Sequence, residues 1–271
     1  MSQLAERIAG FKVPGRGIAI WFLGQNGWIV KSPGGTVIAV DPYLSDAVKG
    51  RRPELDTARR VPIAVPPDKL KVDLYLCTHS HADHACPETI AGARQAGTQR
   101  FAGPAETQPI FTRAGVSEHQ RLLTFPKQVF SAGDLTITGT FALPTDATDL
   151  NHMGFIISVA DGPRFYITGD TAPAALLRSA KTHAPHLMAV CINGGYGNLS
   201  HWEAAELVRD IDPEIAFPCH FDMFLDNSCP PHLFRASLVI LGIGEKYRLL
   251  DYATPFIYTL TDQVPREDAG N

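Results

Sequence analysis

A chain of 271 residues suits one large domain or two small ones, and its formal charge of −4 leaves no basic footprint for general nucleic-acid binding. Five scattered cysteines with no Cys-x-x-Cys pair exclude a disulfide framework and suit a reducing compartment. No run reaches the roughly 18 apolar residues of a membrane span. Residues 1–11 place Glu6 and Arg7 where a signal peptide needs an apolar core, so a soluble cytoplasmic protein is expected. Segments 18–23, 28–30 and 36–40 read as strands, with Ser32-Pro33-Gly34-Gly35 as the turn before the third. Asp41 follows at the strand end, beside Pro42. From 43 to 71 no periodicity survives. A loop of that length is functional or disordered, and this one carries Lys49, Arg51, Arg52, Arg59 and Arg60.

The apolar run 72–76 has the length of a buried strand, and Cys77-Thr78-His79-Ser80-His81-Ala82-Asp83-His84 follows it. A tight turn cannot aim four neighbouring polar side chains in one direction, but it splits them into two pairs around a pair of ions. His79 and His81 share one ion, while Asp83 and His84 reach a second. Neutral imidazole and carboxylate are ligands that Zn²⁺, Mn²⁺ or Fe²⁺ accept. Pro87 and Glu88 then open a helix over 87–95. A short strand and turn lie at Phe101-Ala102-Gly103-Pro104, a helix near 105–114, and alternating strands over 129–141 broken at Gly133-Asp134. His152 precedes a strand over 154–159, and the strand 164–168 ends in Gly169-Asp170. Thr171 and Pro173 predict a helix over 171–181. The apolar run 187–192 is a buried strand. It ends in Asn193-Gly194-Gly195-Tyr196-Gly197, whose glycines let a backbone approach a ligand closely, with Tyr196 a candidate contact. Ser200 and Glu203 have capping-box spacing and start a helix that runs to 211. A strand at 215–218 presents His220. An amphipathic helix over 233–242, two short strand-like runs and the polar tail 263–271 complete the chain.

His79-x-His81-x-Asp83-His84 behind a hydrophobic strand resembles the signature of the metallo-β-lactamase superfamily. The likeness extends to 21–27 and 36–42, to 166–171 and to 217–222. It implies a four-layer αββα sandwich, α/β in class, with two facing mixed sheets flanked by helices and metals at one open edge. The chain is read as one domain, 1–271. In that family an aspartate matching Asp41 hydrogen-bonds the metal-binding loop. A third histidine precedes the strand that here starts near 154, which nominates His152. Asp146 or Asp149 is the alternative, because the sequence departs from the commonest pattern at this point. Asp170 is implied as the bridging carboxylate and His220 as the last ligand. His79, His81 and His152 then hold one ion, and Asp83, His84 and His220 the other.

Two such ions lower the pKa of a shared water from about 15.7 toward neutrality, with Asp83 orienting the water and shuttling its proton. Mn²⁺ and Zn²⁺ both suit the ligands, and Fe²⁺ is compatible. Within the superfamily, 193–198 and 218–222 are similar to L-ascorbate-6-phosphate lactonases. That implies a small anionic substrate, opening of a lactone or ester, and an anion held by Arg51, Arg52 or Tyr196. Phosphodiester and thioester hydrolysis are the alternatives on the same fold. A non-catalytic metal-binding protein would need a broken ligand set, and this one is intact. The resemblance is also compatible with a homo-oligomer.

Overall fold

The computed structural model describes residues 3–51 and 53–260. Helix α1 (Gln3–Gly10) leads into the strands β1 (Gly17–Phe22), β2 (Trp28–Lys31), β3 (Val37–Val40), β4 (Leu74–Leu76), β5 (Arg100–Gly103) and β6 (Arg121–Leu123), which lie side by side in that order. The second sheet is likewise in chain order: β7 (Val129–Ala132), β8 (Leu135–Phe141), β9 (Met153–Val159), β10 (Arg164–Ile167), β11 (Leu187–Cys191) and β12 (Ile215–Cys219). A final strand, β13 (Phe256–Thr259), returns to pair antiparallel with β1. Each sheet begins as antiparallel hairpins and continues as parallel strands, β3 to β6 in one and β10 to β12 in the other. The parallel crossovers carry α2 (Pro87–Gln95), α3 (Gln108–Arg113) and α4 (His201–Ile211), and α5 (Pro231–Ile240) follows β12. This is the αββα sandwich expected from the sequence.

Both faces of the central strands β1 to β4 and β11 are covered, which is why these read as continuous apolar runs. Along β1, Ile18, Ile20 and Phe22 point to the core between the sheets, while Ala19 and Trp21 point outward to a second cluster with α1, α2 and α3. Trp28 anchors the inter-sheet core. Its ring meets Phe165 edge-on at 5.4 Å and Phe217 at 6.1 Å, so it ties β2 to β10 and β12.

The topology gathers particular strand ends at one edge. β3 and β4 run parallel, so Asp41 and the loop after Leu76 leave the first sheet together. β10 and β12 run the same way through β11, and β9 enters antiparallel, so Asp170, His220 and the start of β9 share the facing edge. Open α/β sheets place ligands outside the carboxyl ends of their parallel strands, and this arrangement supplies such a crevice.

The expected helix over 171–181 differs in the structure. A 3₁₀ helix spans Ala175–His183 instead. The Thr171 hydroxyl accepts from Leu143 N–H at 2.9 Å and donates to the Ala172 carbonyl at 3.0 Å, so it is not free to cap a helix. Of the two strand-like runs expected after the last helix, one forms β13, and the chain before it adds single bridges such as Ala216 to Tyr247. Arg52 and the tail 263–271 lie outside the described residues. Among the described residues, no helix is long and apolar enough to cross a membrane.

Candidate metal centre

Asp41 is the peg on which the loop after β4 hangs. It is fully buried with φ at +44°, and its carboxylate accepts from Thr78 N–H at 2.7 Å, Thr78 Oγ1 at 2.5 Å, Asn26 Nδ2 at 2.7 Å and His84 Nδ1 at 2.8 Å. From the far side Asp149 Oδ2 accepts from Ser80 N–H at 2.6 Å. Asp41 thus pins the loop at Thr78 and His84, and Asp149 pins it at Ser80 between them. His79 and His84 point inward from it with ring centroids 4.1 Å apart.

These partners also fix which imidazole nitrogen is left over. Thr78 gives its only hydroxyl proton to Asp41, so it accepts from His79 Nδ1 at 3.1 Å. His84 Nδ1 is occupied by Asp41, and His152 Nδ1 donates to the Asp170 carbonyl at 3.0 Å. In each case Nε2 is the ring nitrogen left to a metal ion, the orientation a metal ligand requires. The Nε2 atoms of His79, His84 and His152 and Oδ1 of Asp170 are all buried without a hydrogen-bond partner. Buried polar atoms are rarely orphaned, and four in one spot call for a cation.

The donor atoms fall into two groups with suitable spacing. His79, His81 and His152 form one, and Asp83, His84 and His220 form the other, with ligand atoms within 4.8 Å of one another in each. Asp170 lies against the second group: Oδ1 is 3.4 Å from His84 Nε2 and Oδ2 is 3.2 Å from His220 Nε2. Asp83 Oδ2 is 3.7 Å from His84 Nε2 and 3.6 Å from His220 Nε2. Ligands bound tetrahedrally at about 2.0–2.1 Å from one ion stand about 3.3 Å apart, so the donors present fit a divalent cation. A third group of Asp41, His79 and His84 also meets the spacing, but protein donors already saturate Asp41.

Electrostatics divides the histidines. Burial and the neighbouring His84 and His152 hold His79 well below the usual imidazole pKa, and burial lowers His152 as well. Burial works against charge on His84 and His220 too, but Asp170 and Asp83 outweigh it. His84 is lifted to about 9 and His220 to about 10. In return, burial of Asp83 and Asp170 is overcome by His84 and His220, which hold both as carboxylates well below their ordinary range.

A cleft of about 230 Å³ opens above these groups, with His81, Asp83, Asp170 and His220 in its floor. Of the expected substrate contacts, Arg51 and Tyr196 line it, and both side chains are exposed. Asp146 also lines it. Its Oδ1 accepts from Thr148 N–H and Oγ1, and its Oδ2 lies 3.6 Å from His81 Nε2. Asp146 thus flanks the cluster at an exposed position, whereas His152 is buried inside it. Arg59 faces inward, its guanidinium donating to the Tyr43 carbonyl at 2.5 Å and stacking over the Tyr43 ring at 5.2 Å.

Three amides at the site were not singled out from the sequence. Asn26 holds Asp41, Asn198 Nδ2 donates to Asp170 Oδ2 at 2.7 Å, and Gln25 Nε2 donates to Asp83 Oδ2 at 2.6 Å. All three sit in glycine-flanked turns at sheet ends, and that punctuation was the available signal.

Comparison with known proteins identifies the family. Residues 19–220 match the model of the "Beta-lactamase superfamily domain". A UPF0173 metal-dependent hydrolase of Anaeromyxobacter dehalogenans is 30% identical over 232 residues, covering 80% of this chain and 79% of its own. The chain belongs to the metallo-β-lactamase superfamily, among its UPF0173 metal-dependent hydrolases. The UPF0173 protein of Thermococcus kodakarensis, at 26% identity, is covered over 100% of its length by 86% of this chain. Among solved structures, the metallo hydrolase Igni18 of Ignicoccus hospitalis superposes with a TM-score of 0.73 at 21% identity, covering 90% of this chain and 100% of its own. An isothiocyanate hydrolase from Delia radicum gut bacteria reaches a TM-score of 0.70 at 18% identity, covering 89% and 100%. Likeness at those identities concerns the fold. As a UPF0173 chain, this protein is a metal-dependent hydrolase.

Proposed function

We propose that this UPF0173 hydrolase opens a lactone or carboxylic ester on a small substrate carrying one anionic group. His79, His81 and His152 would hold one divalent ion, Asp83, His84 and His220 the other, and Asp170 would lie between them. Mn²⁺ and Zn²⁺ both suit this all-N/O donor set. When bound, such a pair supplies a water of lowered pKa and a Lewis acid for the carbonyl oxygen. The remaining work falls to the chain. Asp41, Thr78 and Asn198 orient the ligands, so little rearrangement is left for loading. Asp83 reaches the cleft as a carboxylate, where it orients the attacking water and carries the proton to the leaving alkoxide.

The observation that supports this substrate class is the make-up of the cleft. Val48, Leu55 and Phe224 give it an apolar wall, and Arg51 is the one arginine or lysine lining it among the described residues. One guanidinium suits one carboxylate or phosphate, and it leaves the rest of the substrate to pack against the wall. A phosphorylated sugar acid lactone such as that of L-ascorbate 6-phosphate is a member of the class. The five cysteines are all buried thiols, which supports a reducing, cytoplasmic setting. The test is a panel of lactone, thioester and phosphodiester substrates assayed with added Mn²⁺ or Zn²⁺. Turnover of lactones that is abolished by Asp170→Asn and weakened in KM by Arg51→Ala is expected. Turnover confined to phosphodiesters or thioesters would overturn the assignment.

A further inference from the structure

We infer that Gln25 is a positioning residue for the second metal position, acting on Asp83 through its side chain and on His220 through its backbone. This rests on the two-ion reading of the centre. Most of the proposed ligands have an orienting partner. Thr78 steadies His79, Asp41 steadies His84, the Asp170 carbonyl steadies His152, and Asn198 steadies Asp170. Asp83 is different. Among the described residues, the one hydrogen bond it receives from a group other than an imidazole comes from Gln25 Nε2, at 2.6 Å.

Gln25 is itself firmly held. It is fully buried, and its φ of +56° is a left-handed conformation that a non-glycine residue adopts only when its surroundings impose it. The surroundings here are the corner that carries His220. Gln25 N–H donates to Asp222 Oδ1 at 2.9 Å, and the Gln25 carbonyl accepts from His220 N–H at 2.6 Å. Tyr252 OH in turn donates to Asp222 Oδ2. His220 has φ at +57°, so two left-handed residues clasp each other across the two sheets. The side-chain nitrogen also lies 3.0 Å from His220 Nε2, while Oε1 is buried without a partner.

The experiment titrates metal-free protein with Mn²⁺ against a chromophoric chelator and follows spin coupling by electron paramagnetic resonance. The wild type, Gln25→Met and Gln25→Asn are compared. Methionine keeps the length without a donor, and asparagine keeps the amide but stops short of Asp83. Either variant is expected to weaken the second ion by about tenfold to a hundredfold, leave the first within about twofold, and lose the spin-coupled signal. The first ion serves as the internal control for folding, and the asparagine variant stands if the methionine variant does not fold. Equal weakening of both ions, or wild-type binding of both, overturns the inference. A wild type that takes up a single ion overturns the two-ion reading itself, a result seen without any variant.

Discussion

His79 and His84 sit five residues apart in one loop, yet they would meet a metal ion in different protonation states. His79 is held neutral by burial, whereas His84 at about 9 and His220 at about 10 carry protons at neutral pH in the metal-free protein. Filling the second position must therefore expel a proton from each of His84 and His220, while the first position has none to expel from His79. The second apparent affinity should rise by about a hundredfold per pH unit between pH 7 and 9, the slope of two coupled protons. Calorimetric titration in buffers of different ionisation enthalpy measures the protons released, and a second step with no proton release would contradict the charge pattern. Asp41 carries a separate prediction. Asp41→Ala strands Thr78 N–H, Asn26 Nδ2 and a charged His84, and it should cost about 3 kcal/mol or more in urea unfolding of the metal-free protein. The loop's candidate ligands are legible because four of them crowd into six positions. Gln25 and Asn198 are not, because an amide takes on such a role only when distant turns fold against it.

The elements differ in how openly their sequences declare them. α4 was readable at both levels: Ser200 accepts from Glu203 N–H and Glu203 reaches back to Ser200 N–H, a complete capping box. Ser200→Ala should lower stability by about 1 kcal/mol in thermal or urea unfolding while metal uptake stays unchanged, since the cap touches no ligand. After β10, Thr171 and Pro173 imitate a helix start, but the threonine hydroxyl is spent on Leu143 and Ala172. β10 shows the opposite case, where a weak local signal carries a strong constraint. Gly169 has φ at +65°, and an added Cβ would lie 2.7 Å from the Met153 carbonyl and 2.8 Å from Thr78 Cβ. The carbonyl belongs to β9 and cannot yield without moving that strand. Gly169→Ala should therefore displace Asp170 from His84 and His220, and the loss should show as weaker binding of both ions by competition with a chelator. Unchanged metal affinity would mean that the strand end tolerates the shift.

At the scale of the whole molecule, the metal centre is a clasp between two sheets. His79, His81, Asp83 and His84 hang from the end of β4, while His152, Asp170 and His220 come from β9, β10 and β12 in the facing sheet. Ions held between them would tie the sheets at the open edge, as Trp28 and its neighbours tie them in the interior. A ligand that binds the native state alone adds RT ln(1 + [L]/Kd), about 2.7 kcal/mol at a hundredfold excess over Kd. The pH dependence of the metal-free state runs the other way. His84 and His220 have native pKa values raised above the unfolded value of about 6.5, so their contribution is complete below that pH and is lost as pH rises through about 9 and 10. A loaded protein would hold both imidazoles unprotonated and escape that loss. The drop in Tm on adding a chelator should therefore be larger at pH 9 than at pH 6.5, by scanning calorimetry at fixed free metal. A chelator effect that shrinks or stays constant with rising pH would show that the ions do not bind where His84 and His220 hold their protons.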